Sequence, residues 1–204
     1  WHAALMFVVA ALNAVQARVT GEVSRLVDNG VMAAFISFST GLLVLLSICL
    51  FSSRVRHAFL SIPNRVRTGQ LAWWQCLGGV AGATFMTGQG LAVPVIGVAI
   101  FIVATVAGQC VASLFVDRWG LGPAGAKPIT LVRVIAACVA ILGVAISATG
   151  RSAIGHVALP LILFVFIAGG FTSAQHAFNG RLAVATGQPL GTTVWNFALG
   201  TSTL

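Results

Sequence analysis

Apolar and polar positions fall in long blocks along this chain, and the apolar blocks dominate. They run from about His2 to Val19, Val31 to Phe51, Gln70 to Thr87, Val95 to Val116, Ile129 to Thr149 and Val157 to Phe178, with a last one beginning near Leu190. Most approach the ~20 residues that a helix needs to cross the hydrocarbon core of a bilayer. The polar punctuation between them is short: TGEVSRLVDNG (20–30), SSRVRHAFLSIPNRVR (52–67), GQGLAVP (88–94), DRWGLGPAGAKP (117–128) and GRSAIGH (150–156). From Thr68 to Val116 there is no Asp, Glu, Lys or Arg. That run has room for two crossings, with Gly88, Gly90 and Pro94 marking the turn between them. The pattern predicts seven membrane-spanning helices.

The last block restarts what the first began. At an offset of 159, Phe7 falls on Phe166, Gln16 on Gln175, Gly21 on Gly180, Phe38 on Phe197 and Gly41 on Gly200. Both copies read as an apolar span ending in Gln, a polar turn with Gly, then an apolar span holding Phe and Gly. Five spans precede the restart, and an odd number makes the second copy enter the membrane from the opposite face. The expected fold is therefore an all-α polytopic transmembrane helix bundle, seven spans of an expected ten, built as two inverted five-helix repeats. Residues 1–150 form the first repeat and 157–204 the truncated start of the second. Trp1 in place of Met and an end at Leu204 inside an apolar run lead us to expect that both termini are cut.

Composition agrees with a bilayer as solvent. Hydrophobic residues make up 58% of the chain and charged residues 7%, where a soluble domain carries about 25% charge. The formal charge of +8 belongs to basic residues in short loops, so membrane orientation explains it and nucleic-acid binding is not expected. With the Arg54–Arg67 segment inside, Arg54, Arg56, Arg65, Arg67, Arg118, Lys127, Arg133 and Arg181 are cytoplasmic, and Arg18, Arg25 and Arg151 are external. That places the N-terminus in the cytoplasm. Cys49, Cys76, Cys110 and Cys138 stand alone in apolar runs and fit neither metal nor disulfide spacing.

Polar side chains inside the spans are the candidate chemistry. Asn13, Gln16, Gln109, Gln175, Asn179 and Asn196 each set an amide in or near apolar surroundings, where facing lipid is costly, so they should point into the bundle. There they serve either as hydrogen-bonded glue between helices or as the lining of a solute path. His176 is an ionisable group within a span, either a hydrogen-bonded neutral imidazole or a proton-sensitive gate. Gly78 and Gly82, with Gly97 and Gly108, offer close helix packing. Asp117 at the end of a span opposes the helix dipole and calls for Arg133 or Arg118 as partner. There is no GxSxG, HExxH, CxxC or Walker A pattern, and Asp and Glu total three. Neither a catalytic residue, nor a metal site, nor a cofactor is expected.

Several stretches together resemble the drug/metabolite transporter superfamily, and within it the YdcZ-like family. They are ALNAVQARV (11–19), SFSTG (37–41), WWQCLGGVAGATF (73–85) and the stretch 93–123, with its Pro94, Gly97, Gly108, Gln109, Asp117 and Gly120. Arg133, Gly143 and residues 174–201 complete the set. The resemblance implies ten spans in the full protein and export of a small solute. Half-length relatives that pair with a second subunit imply a homo-oligomer or a small partner subunit as a further possibility. The chain departs from the family at Thr20, where Asn is usual, and at Ala136, where Gly is usual, while Asn179–Gly180 keeps the pattern. It also lacks the membrane-embedded Glu by which the small multidrug antiporters of the superfamily exchange protons. The expectation is a plasma- or inner-membrane secondary transporter that exports a small polar or amphiphilic metabolite or drug by alternating access. A non-transporting scaffold or partner subunit, and a membrane-embedded enzyme, stand as alternatives.

Overall fold

The computed structural model describes residues 2–149 and 157–204, and these are helical almost throughout. Seven α-helices follow in order: α1 His2–Val27, α2 Gly30–Phe51, α3 Ser53–Arg67, α4 Gly78–Arg118, α5 Leu131–Thr149, α6 Ala158–Thr186 and α7 Pro189–Thr203. A 3₁₀ turn, Trp73–Leu77, leads into α4. The junctions have plain local causes. Asn29 caps α2 by accepting from the amides of Val31 and Met32. Ser52, extended at φ −119°, ends α2 and caps α3 through its hydroxyl. Gly187 closes α6 in the left-handed conformation at φ 68°, and Pro189 opens α7.

Four helices among the described residues are long and apolar enough to cross a membrane: those within 4–27, 30–51, 73–118 and 158–186. This corrects the expectation of seven spans in two inverted five-helix repeats. The apolar helices α5 and α7 fall outside that set among the described residues. The largest departure lies in 70–116, where two spans and a turn at 88–94 were expected. Instead the chain stays helical through Gly88, Gly90 and Pro94, and the break between the two helical arms of α4 comes later, at Gly97. In lipid an unmade backbone hydrogen bond costs several kcal/mol, against about 1 kcal/mol for a glycine in a helix, so the glycines stay helical.

The break in α4 comes at Gly97, whose φ of 80° and ψ of 161° no other residue type adopts readily. There the helix folds back on itself. Gly88, before the break, lies against Phe164 and Ala168 of α6, while Gly108, after it, lies against Phe166 and Gly170. A straight helix would hold residues 88 and 108 about 30 Å apart. The two arms thus pack side by side on α6, which makes its most extensive contacts with α4. At Gly108 the carbonyl of Phe166 occupies the place a Cβ would need, so this contact requires glycine.

Two polar segments are also more ordered than their sequence suggests. Residues 20–27 continue α1, with Thr20 and Ser24 buried and Gly21 against Val93 of α4. The basic stretch 52–67 is mostly helix α3, which buries Val55, Ala58 and Ile62 and packs Ala58 on Gly191 of α7. Ile62 joins Leu71, Cys76 and Leu182 in one apolar cluster. Arg181, next to Leu182, donates from Nε to the Leu121 carbonyl at 2.7 Å and from Nη2 to Gly120 at 2.6 Å. Hence α3, the 119–130 connection and the C-terminal end of α6 share one end of the bundle, and the basic residues of 54–67, Arg118, Lys127, Arg133 and Arg181 gather there. Arg25 sits at the other end and donates to the Pro94 carbonyl at 3.3 Å. The expected external loop 150–156, with Arg151, and the terminal Trp1 lie outside the described residues.

Candidate functional site

A cavity of about 330 Å³ opens between α1, both arms of α4 and α6. Its position follows from the packing just described. Ala17 of α1, Ala92, Val93, Ile96, Ile100, Phe101 and Ala104 of α4, and Ile162 and Val165 of α6 form a close-packed apolar cluster around the Gly97 reversal. Farther from the reversal the arms and α6 carry larger polar side chains, and space remains between them. Asn13 and Ala10 of α1 line one side, and Phe85 and Gln89 of the first α4 arm another. The second arm contributes Phe101, Ile102, Thr105, Val106 and Gln109, and α6 contributes Thr172, Gln175 and His176.

Four of the polar candidates named from the sequence, Asn13, Gln109, Gln175 and His176, therefore meet on this one cavity. Gln109 Nε2 donates to Thr172 Oγ1 at 2.8 Å, and Thr172 donates onward to the Gly169 carbonyl at 2.7 Å. Gln175 reaches Gly82, where its amide nitrogen stands 2.8 Å from the place of a Cβ. Gln16 lies off the cavity, its Nε2 4.0 Å from Met86 Sδ. Gly82 and Met86 are four residues apart on one face of α4, so Gln16 and Gln175 approach that helix about 6 Å apart along its axis.

Asn179 and Asn196 form a separate pair, with Asn196 Nδ2 donating to Asn179 Oδ1 at 2.6 Å. Both oxygens press on Gly78, standing 2.6 and 2.7 Å from the place of a Cβ, which ties α6 and α7 to the start of α4. This is a packing contact away from the cavity. Gly97 lines a separate crevice of about 160 Å³ with Gly21, Arg25 and Pro94. Among the described residues, no group of three or more His, Cys, Asp or Glu is placed to hold a metal ion.

Two cavity residues escape a reading of the sequence. Gln89 sits between Gly88 and Gly90, glycines that read as turn residues, and Thr105 is one hydroxyl in an apolar run. Both are buried, at 2% and 6% exposure. Gln89 Oε1 and Thr105 Oγ1 have no hydrogen-bond partner among the described residues.

At the basic end of the bundle a second cavity, about 290 Å³, lies beneath the 120–127 connection. Its walls include Asp117, Lys127, Pro123, Ser173 and Ala177, and His176 belongs to both cavities. Asp117 is held by Arg133, whose Nη2 lies 2.5 Å from Oδ2 and also reaches Ser113. Arg118 stands exposed beside it at the end of α4. The Asp117 carbonyl accepts from the Lys127 amide at 2.8 Å, and Arg181 fastens Gly120 and Leu121 from above. The roof over this cavity is thus pinned at both ends.

Comparison with known proteins returns one family. The family model described as "Putative inner membrane exporter, YdcZ" matches residues 1–146 and 160–204. No curated protein and no solved structure matches the chain. The match covers nearly every residue of a multi-pass helical chain. The chain belongs to the YdcZ family of the drug/metabolite transporter superfamily.

Proposed function

We propose that this protein exports a small, uncharged, polar or amphiphilic solute, which occupies the cavity between α1, α4 and α6 during alternating access. The observation that carries the reading is convergence. A scaffold needs its buried amides only where helices touch, in pairs such as Asn179 and Asn196. Here Asn13, Gln89, Gln109 and Gln175 face one space, beside the apolar surfaces of Phe85, Phe101, Ile102 and Val106. Such a mixture suits a solute with one polar and one apolar part.

Among the described residues the cavity wall carries neither carboxylate nor Lys or Arg, and His176 is the titratable side chain on it. A charged solute would enter without a counter-charge, which is unfavourable in a site surrounded by lipid. The route toward the basic end passes His176 into the cavity beside Asp117 and Lys127. With the basic end cytoplasmic, in keeping with the bias of Lys and Arg toward that side, the second cavity is the cytoplasmic vestibule and the N-terminus is inside. Solute enters there and leaves past α1 and the Gly97 end. A homo-oligomer or a small partner subunit is part of the same proposal, because α1 and α5 leave broad apolar faces uncovered among the described residues, Phe7 and Leu142 among them.

The experiment is a solute screen in proteoliposomes containing the full-length protein, with imposed pH and ion gradients. The reading expects at least one neutral polar or amphiphilic solute to move faster than in protein-free vesicles. A folded, reconstituted protein that moves none of a broad panel would contradict it.

A further inference from the structure

Helix α3 lies across the ends of its neighbours rather than along any one of them. Val55 packs with Cys49 near the end of α2 and with Val194 near the start of α7. Ala58 meets Gly191, also near the start of α7. Ile62 joins Cys76, just ahead of α4, and Leu182, close to the end of α6. Each partner lies within about two turns of a helix terminus. Since α2, α4 and α6 are long enough to cross the bilayer, α3 runs at the depth where their crossing stretches stop, which is that of the lipid headgroups. Trp73 and Trp119, at the two ends of the folded-back α4, are both largely exposed and agree with that depth, because tryptophan collects at membrane interfaces.

The buried face of α3 is carried by Val55, Ala58 and Ile62. Arg56, Leu60, Pro63 and Arg67, at intervals of four, three and four, form a second stripe that is exposed throughout. Its two guanidinium groups stand about 16 Å apart along the helix. Other cations at this end of the bundle are engaged: Arg133 by Asp117, Arg65 by Ser61 and Gln70, and Arg181 by the Gly120 and Leu121 carbonyls. Arg56 and Arg67 make no hydrogen bond or ion pair among the described residues. Nor can the chain's own acids reach them. Of the three, Glu22 and Asp28 lie by Arg25 at the far end, and Asp117 already holds Arg133.

Two exposed guanidinium groups without a carboxylate within reach call for anions from outside the chain. Leu60 stands between them, 64% exposed. In water that would leave a large apolar side chain bare, whereas at headgroup depth leucine and the arginine stems lie against acyl chains while the charged heads stay among phosphates. Arginine suits this role because its planar fork pairs two N–H groups with a phosphate.

We propose that the stripe Arg56–Leu60–Arg67 on α3 is a docking surface for anionic phospholipids of the leaflet at the basic end of the bundle, one headgroup at each guanidinium. The surface lies apart from the cavity between α1, α4 and α6 and stands whether or not solute passes through that cavity.

The test titrates phosphatidylglycerol and, separately, phosphatidylcholine into the purified full chain in detergent and counts bound lipids by native mass spectrometry. Phosphatidylglycerol is expected to bind about tenfold tighter, a preference that falls to within about twofold in the double variant Arg56→Gln with Arg67→Gln. Both side chains are exposed and unbonded, so the fold should survive. Each single variant is expected to lose one tightly held lipid, which decides the matter if the double variant does not fold. Arg18→Gln, which removes an exposed cation at the opposite end, should leave the preference unchanged. Equal binding of the two lipids by the unaltered chain, a preference that survives loss of both arginines, or a fall as large in Arg18→Gln as in Arg67→Gln overturns the proposal. Excess inorganic phosphate that displaces the lipid would assign the stripe to a free anion and overturn it as well.

Discussion

Gln109 on the second arm of α4 and Thr172 on α6 share a 2.8 Å hydrogen bond at the cavity wall, joining the helices that pack most extensively on each other. Single bonds of this kind between membrane helices average about 0.6 kcal/mol. Gln109→Leu and Thr172→Val should each lower stability by about that amount, and the double variant by little more than either single. Chemical unfolding in detergent measures the cycle, and additive losses would show that the two side chains act independently.

Asp117 and Arg133 form the ion pair that braces α5 against the end of α4, with about 30% of each side chain exposed. Partial exposure keeps its worth near ~0.5–1 kcal/mol. Asp117→Asn should cost about that much and loosen the roof of the vestibule. The charge exchange Asp117→Arg with Arg133→Asp should recover most of the loss. The fraction of folded protein after heating in detergent is the readout, and an exchange no better than Asp117→Arg alone would argue against a direct pair.

Gly97 holds the reversal of α4 with a φ of 80°. Gly97→Ala should cost about 1–3 kcal/mol through backbone strain and reduce the yield of folded protein. Gly143→Ala is the control, because a Cβ there would meet only Val103 at 3.5 Å, an ordinary contact. Yield from membranes under identical expression compares the two, and equal yields would remove the reversal as a point of strain.

The proposed orientation places Ser61 inside and Asp28 outside. In a variant with Cys49, Cys76, Cys110 and Cys138 replaced, Asp28→Cys should react with an impermeant thiol reagent added to whole cells, and Ser61→Cys should react only after permeabilisation. The opposite pattern would invert the bundle.

Legibility from sequence differs sharply between parts of this molecule. Asn13, Gln109, Gln175 and His176 could be picked out because an amide or imidazole in an apolar run needs a reason, and all four line one cavity. Gln89 could not, since its flanking glycines signal a turn in water and keep a helix going in lipid. Asn179 and Asn196 look the same in sequence as the cavity amides, yet they bond each other, and only the packing on Gly78 separates the two uses. The family resemblance read from 11–19, 73–85, 93–123 and 174–201 holds over nearly the whole chain. The span count does not, with four helices among the described residues long and apolar enough to cross, because composition does not show where an apolar run bends, as at Gly97. The matched Phe38 and Phe197 do touch, at 4.9 Å between centroids, and each ring fills the place beside the other helix's glycine, Gly200 and Gly41. That reciprocity is local to α2 and α7.

The central claim is that solute passes through the cavity between α1, α4 and α6, and blocking it tests this most directly. Val106 lines the cavity on the second arm of α4 and is 44% exposed, so a larger side chain there has room without disturbing the core. Val139 on α5 is 62% exposed and does not line the cavity. Initial export rates of the solutes found in the proteoliposome screen, normalised to folded protein, are to be compared for Val106→Trp and Val139→Trp. The account predicts loss of at least about tenfold for Val106→Trp, the scale of removing roughly 1.4 kcal/mol of binding, and a near-normal rate for Val139→Trp. Equal rates in the two variants would contradict it.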